Sequence, residues 1–227
     1  MARSALAVVI PCHNEASTLG AVVRVACRHA DVIVVDDRST DDSRQVASDN
    51  GAQVIASAAP GYDGALETGL RRAWADGYGF VVTMDADGEH DPALVAQFRL
   101  AWEGGADLVC GFRPRPQRLA EYIVGALGSG LFQIRDLLCG MKGYSRPVLE
   151  RYFDSKLPLS INMTPAVLWR RAGGGCVQIA VTGEARTGAP RFARAIRANW
   201  MILRAFQSTL FHTGAEPPVR DLQKAGR

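Results

Sequence analysis

Tyr78-Gly79-Phe80-Val81-Val82-Thr83-Met84-Asp85-Ala86-Asp87-Gly88-Glu89-His90-Asp91-Pro92 is the stretch on which the fold turns. Its first half is an apolar run of the kind that forms a buried strand. Its second half is acidic and punctuated by glycine and proline, so the carboxylates fall where the strand leaves its sheet. In open α/β sheets that carboxyl edge is where ligands bind. Asp85 and Asp87 offer a hard divalent cation two oxygen ligands on one short, bent segment. Two carboxylates held so close repel each other unless a cation or a proton intervenes.

Upstream, the same design recurs. Leu6 to Ile10 is an aliphatic run ended by Pro11-Cys12-His13-Asn14-Glu15, and a helical pattern follows from Ser17 to His29. Asp31 to Val35 ends in Asp36-Asp37, and Ser39 with Asp42 resembles a capping box for the next helix. Gln53 to Ala56 predicts a third strand and Gly64 to Trp74 a third helix. Downstream, a helix starts near Pro92, where proline suits the first turn, and Ala106 to Gly111 predicts a fifth strand. Strands alternating with helices imply βαβ units and a mostly parallel sheet. The expected fold is therefore α/β, with a Rossmann-like nucleotide-binding half over residues 1–113 of a single domain, 1–213.

After Arg113 the regularity fades. Pro114-Arg115-Pro116 predicts a linker, Glu121 to Ile134 an apolar helix with glycines, and Asp136 to Tyr144 a loop feeding a strand. Val177 to Val181 predicts another strand. In the stretch from Arg191 to Phe211, helical spacing gathers Phe192, Ile196, Leu203, Phe206 and Leu210 on one face and Arg194, Arg197 and Arg204 on the other. Such a C-terminal amphipathic helix suits a membrane interface or packing on its own domain. Residues 214–227 form a polar tail.

Composition bounds the function. With 227 residues, 48% hydrophobic and 22% charged, the chain has the profile of a soluble globular domain. The net charge of +3 gives no case for a nucleic-acid partner, although all the basic residues except Lys142, Lys156 and Lys224 are arginine, the residue that grips phosphate with a planar fork. Five scattered cysteines with no Cys-X-X-Cys pair point to a reducing compartment rather than to zinc or disulfides. No window reaches the roughly 20 apolar residues of a membrane span. The expected location is the cytoplasm, peripheral on the inner face of the membrane.

Three chemistries compete for Asp85-Ala86-Asp87-Gly88. A calcium loop of EF-hand type needs Gly at its sixth position and Glu at its twelfth, where this chain has His90 and Ala96. A phosphatase with an Asp-X-Asp-Gly nucleophile usually carries it on the first strand and needs a downstream lysine. A metal site for a nucleotide sugar's diphosphate accounts for the fourth strand and for the second acidic turn, Asp36-Asp37. Asp91, before Pro92, reads as a helix N-cap, and Asp41 or Asp42 as a residue favouring a helix start.

Five segments in order then carry a resemblance: Val9 to Glu15, Val34 to Asp41, Met84 to Pro92, Gly105 to Arg113 and Asp136 to Arg146. Together they resemble the family-2 glycosyltransferases of GT-A fold, and within them the dolichol-phosphate or polyprenyl-phosphate sugar synthases. The resemblance implies that Pro11, His13, Glu15 and Asp37 line the donor nucleotide, which is UDP- or GDP-linked. It implies that Asp85 and Asp87 bind Mg2+ or Mn2+, with Glu89 as a third ligand. Arg113 would belong to the catalytic centre, and with Arg186 and Arg191 would hold the acceptor phosphate in residues 114–213. The chain departs from the family pattern at His13 for tyrosine, Asp63 for lysine, Phe112 for serine, and Ala189-Pro190-Arg191 for Glu-Ser-Lys.

The implied reaction is displacement with inversion at the anomeric carbon. A hydroxyl acceptor needs a general base, and Leu159 to Pro165, where relatives acting on hydroxyls carry acids, has none. A phosphate is already a nucleophile and needs only orientation. That favours polyprenyl phosphate, reached at the membrane surface beside a membrane partner protein. A glycan hydroxyl is the alternative acceptor. A sugar nucleotidyltransferase would need a glycine-rich basic loop after the first strand, which Pro11 to Glu15 lacks.

Overall fold

The computed structural model describes residues 5–114, 119–155 and 160–181, together with Arg204 and Gln207. Among the described residues seven strands form one sheet in the order β3-β2-β1-β4-β6-β5-β7. They are β1 (Leu6–Cys12), β2 (Asp31–Asp36), β3 (Gln53–Ala56), β4 (Phe80–Thr83), β5 (Leu108–Phe112), β6 (Lys142–Ser145) and β7 (Val177–Ala180). All pairs are parallel except those of β6, which runs antiparallel to both β4 and β5. The mostly parallel sheet expected from the βα alternation is thus present. The reversed β6 adds something the sequence did not announce. Its first residue, Lys142, pairs with Thr83 at the end of β4, so the loop leading into β6 lies at the carboxyl edge of β4.

Every residue of β1 is buried because β1 lies inside the sheet and both its faces are covered. Ala7 and Val9 join one core, with α3 (Gly61–Ala75), α6 (Arg146–Ser155) and α7 (Thr164–Arg171). Leu6, Val8, Ile10 and Cys12 join the other, with α1 (Ala16–Ala26), one residue of α2 (Ser43–Asp49) and α4 (Val95–Glu103). Strict alternation along a doubly covered strand explains why its sequence reads as a continuous aliphatic run.

Helix α3 lies close against the sheet at Gly69. A Cβ there would stand 2.3 Å from Val9 Cγ1 and 2.8 Å from Val35 Cγ2. Gly69→Ala is expected to lower stability by about 1–3 kcal/mol through overpacking. A fall in the thermal unfolding midpoint checks this; an unchanged midpoint would mean that α3 slides off the sheet at no cost.

Local signals fared unevenly. Asp91 caps the 3-10 turn Pro92–Leu94 by accepting the Ala93 N–H at 2.9 Å, as expected of an N-cap. The capping box at Ser39 and Asp42 does not form. Helix α2 starts at Ser43, and the Ser39 N–H goes to the Asp36 carboxylate. Helix α3 begins at Gly61, whose φ of 86° only glycine adopts readily, one turn ahead of Gly64. Helices α6 and α7 were not foreseen. The apolar helix of the second half is α5 (Leu119–Phe132). The C-terminal amphipathic helix, Arg186, Arg191 and the tail lie outside the described residues, apart from Arg204 and Gln207, which are helical and exposed. Among the described residues no helix is long and apolar enough to cross a membrane.

Candidate active site

The carboxyl ends of β1 and β2 are stitched together by side chains. Asn14, with φ of 55°, turns its Oδ1 to the N–H groups of Thr40 (2.8 Å) and Asp41 (3.3 Å), and its own N–H donates to Ser39 Oγ. The Glu15 N–H donates to Ser43 Oγ at 2.8 Å, and the Ala16 N–H to Asp41 Oδ2 at 3.1 Å. His13 is exposed, with Nδ1 2.6 Å from the Asp37 carbonyl oxygen. Pro11 is buried at the end of β1. Burial alone would raise the Asp36 carboxyl, but the Ser39 contacts and Arg44, whose Nε donates at 2.6 Å, hold it below the usual range.

Asp37 differs from its neighbour. Its Oδ2 accepts the Gly61 N–H at 2.7 Å. Its Oδ1 is buried and has no hydrogen-bond partner; Arg38 Nε stands 3.9 Å away. Buried carboxylate oxygens without a donor are rare, and a ligand's N–H is a ready explanation.

Across the edge, Asp85 is held from three directions. Tyr62 OH donates to Oδ1 at 2.9 Å. The buried His90 accepts the Asp85 N–H on Nδ1 at 3.3 Å, with that nitrogen 3.7 Å from Oδ2, and places Nε2 3.9 Å from Cys139 Sγ. Burial disfavours a charged imidazole, yet the Cys139 and Asp85 contacts outweigh it and hold its pKa at about 9. Gly140 forms the third wall, so close that a Cβ would sit 2.4 Å from Asp85 Oδ2. Asp87 Oδ1 accepts the Glu89 N–H at 3.1 Å. The turn is tied to α1 through Thr18 Oγ1, which donates to the Ala86 carbonyl at 2.9 Å.

Glu89 turns towards Arg113, with Oε1 4.0 Å from a guanidinium nitrogen. Among the described residues no three His, Cys, Asp or Glu side chains converge on one point that would hold an ion. Two carboxylates without a closed cage fit Mg2+ or Mn2+, which take one or two protein carboxylates and complete their shell with phosphate oxygens and water. Asp85 and Asp87 are the residues that would hold the ion.

Arg113 is engaged by Asp136, a residue with no role in the sequence reading. Its Nε donates to Asp136 Oδ2 at 2.8 Å and its backbone N–H to the same oxygen at 3.2 Å. Asp136 Oδ1 accepts the N–H groups of Leu138 and Cys139. Burial would raise the Asp136 carboxyl, but these bonds and the Arg113 charge hold it below the usual range. The only sequence signal was its place at the head of a segment already marked by the family resemblance. Asp63, the residue standing where the family pattern has lysine, reaches Ser160 Oγ at 3.4 Å and brings a carboxylate to the segment that has none of its own.

Comparison with known proteins bears on the fold and the family. An uncharacterised glycosyltransferase of Mycobacterium tuberculosis is 42% identical over 120 residues, 51% of this chain and 51% of that protein, so the chain spans about half the length of that relative. Polyprenol monophosphomannose synthase of Mycolicibacterium smegmatis is 32% identical over 211 residues, covering 77% of this chain and 76% of that one. Among solved structures, glucosyl-3-phosphoglycerate synthase from Mycobacterium tuberculosis, in complex with Mn2+, UDP and phosphoglyceric acid, superposes with a TM-score of 0.70 at 23% identity. It covers 93% of this chain and 79% of that chain, and the likeness shows the shared GT-A fold. The Glycosyl transferase family 2 pattern matches residues 7–153, from β1 into α6, and the chain belongs to that family.

Proposed function

We propose that this chain transfers a sugar, with inversion, from a nucleoside diphosphate donor to a polyprenyl phosphate. The observation that carries the reading is the buried Asp37 oxygen that lacks a hydrogen bond, at the same sheet edge as Asp85 and Asp87. Asp37 accepts an N–H of the base, and Pro11, His13 and Glu15 line the nucleotide. Asp85 and Asp87 hold Mg2+ or Mn2+, which when bound neutralises charge on the departing diphosphate. Glu89 stays beside that site and is a third ligand if its contact with Arg113 opens. Arg113, Arg186 and Arg191 orient the acceptor phosphate, which needs no base.

The acceptor half is supported by the Mycolicibacterium smegmatis relative, a polyprenol monophosphomannose synthase. It is also supported by α5, where Ile123, Leu127 and Leu131 are exposed at successive turns of one helix face. Such a stripe suits the surface of a bilayer, and a membrane partner protein would share that surface. A second reading, transfer to a glycan hydroxyl, is favoured by Asp63, which in that case serves as general base beside Ser160.

The test is a panel of UDP- and GDP-sugars against polyprenyl phosphate in anionic vesicles and against soluble glycans, with and without EDTA. Turnover with the lipid phosphate that requires metal, and that Asp63→Asn preserves, is the expected result. Turnover with soluble glycans alone, abolished in Asp63→Asn, establishes the second reading instead. Failure of the protein to sediment with anionic vesicles would remove the membrane surface from the scheme.

A further inference from the structure

Lys142 opens β6 and is completely buried. Burial disfavours its ammonium and lowers its pKa. A lysine in such a place is tolerable only if its three N–H bonds are met. All three are. Nζ donates to the carbonyls of Leu137 (3.0 Å) and Cys139, and to Asn162 Oδ1 at 2.8 Å. Asn162 in turn donates from Nδ2 to the carbonyl of Leu138 at 3.1 Å. Two side chains therefore grip three consecutive carbonyls, those of residues 137, 138 and 139.

The same segment is gripped on its N–H side. Leu138 and Cys139 donate to Asp136 Oδ1 at 3.1 and 3.0 Å, and Asp136 is the partner of Arg113. The next residue is Gly140, which abuts the Asp85 carboxylate and whose carbonyl accepts from Thr83 Oγ1 at 2.7 Å. A shift of this short loop would therefore move the wall behind Asp85 and the anchor of Arg113 together.

We propose that Lys142 and Asn162 form a carbonyl clamp whose role is to position Asp85 and Arg113. They are positioning residues, acting through the loop rather than on the substrate. An apolar side chain could fill the same space without the desolvation cost of an ammonium. What the ammonium and the amide add is a fixed direction for each of three peptide groups, and hence a fixed height for Gly140. The inference rests on the reading of Asp85 as a metal ligand.

The test uses the full chain carrying Lys142→Met or, separately, Asn162→Ala, titrated calorimetrically with UDP and with GDP, in EDTA and in Mn2+. Both variants are expected to lose about 10–100-fold of the metal-dependent gain in nucleotide affinity, with affinity in EDTA unchanged. Equal losses with and without metal, alongside a lowered unfolding midpoint, would mean that the pair merely holds the fold, and would overturn the clamp. So would retention of the full Mn2+ gain in both variants. If Lys142→Met does not fold, Asn162→Ala at its half-buried position carries the comparison. Wild-type protein that binds neither nucleotide more tightly in Mn2+ overturns the metal reading itself, a result distinct from either outcome in the variants.

Discussion

Asp87→Ala is expected to lower sugar transfer by a factor on the order of 10³, because a cation that offsets leaving-group charge supplies several kcal/mol of transition-state stabilisation. The size follows from how few ligands the chain itself provides. The proposed ion rests on Asp85 and Asp87, since Glu89 faces Arg113, and Asp85 is already held by Tyr62 and faced by His90. Removing Asp87 leaves one carboxylate, and the nucleotide's phosphates cannot replace it because they are the group being released. The substitution sits on a turn and outside both hydrophobic cores, and one of the bonds it removes is to the Glu89 N–H. Stability should therefore change by no more than about 0.5 kcal/mol, as for substitutions that remove no core packing. The measurement is turnover against Mn2+ concentration, with nucleotide affinity in EDTA as the control. Full activity in the variant, or wild-type turnover indifferent to EDTA, would refute metal assistance.

Much of this site was legible because the sheet writes itself in aliphatic runs. Strands β1, β2 and β4 are buried on both faces, so their ends could be read directly, and Asp37, Asp85 and Asp87 fall just beyond those ends. β6 was harder to read. It is four residues long, Lys142 to Ser145, and its lysine and glycine give no apolar period, so nothing in the sequence announced its reversed direction or its place between β4 and β5. The partnership of Arg113 with Asp136 spans 23 residues and depends on that reversal, so spacing could not reveal it. Lys142 has the composition of a surface residue, and only the carbonyls of Leu137 and Cys139 disclose its burial. Helices α6 and α7 are short, and the approach of Asp63 to Ser160 joins residues 97 apart. The residues proposed to meet the ligand were thus visible from strand ends, and the side chains that hold them in place were not.

Gly140→Ala tests that second group and is expected to cut turnover by about 10²-fold, the penalty for displacing a catalytic constellation by about 1 Å. The added Cβ would lie 2.4 Å from Asp85 Oδ2 and 2.9 Å from both Cγ and Oδ1, where no carbon can remain. Backbone strain is not the cause, since Gly140 is not among the described residues with positive φ. Something must move, and there are two candidates. If the loop moves, it breaks the Thr83 bond to the Gly140 carbonyl and pulls against Lys142 and Asn162, and stability falls. If the Asp85 carboxylate moves, it leaves Tyr62 and His90, and the cost appears in metal-dependent nucleotide binding instead. The loop is fixed by three gripped carbonyls and two N–H groups, whereas Asp85 is a side chain with rotatable bonds, so the carboxylate should yield. The expected signature is a large loss of Mn2+-dependent UDP or GDP affinity with little change in unfolding midpoint. Gly130→Ala on α5 is the matched control. It has open space around the added carbon and should be neutral or stabilising by up to about 1 kcal/mol, as a helix gains from alanine. Gly140→Ala protein with wild-type turnover would mean that Asp85 can shift without consequence, and that its position does not matter to the chemistry.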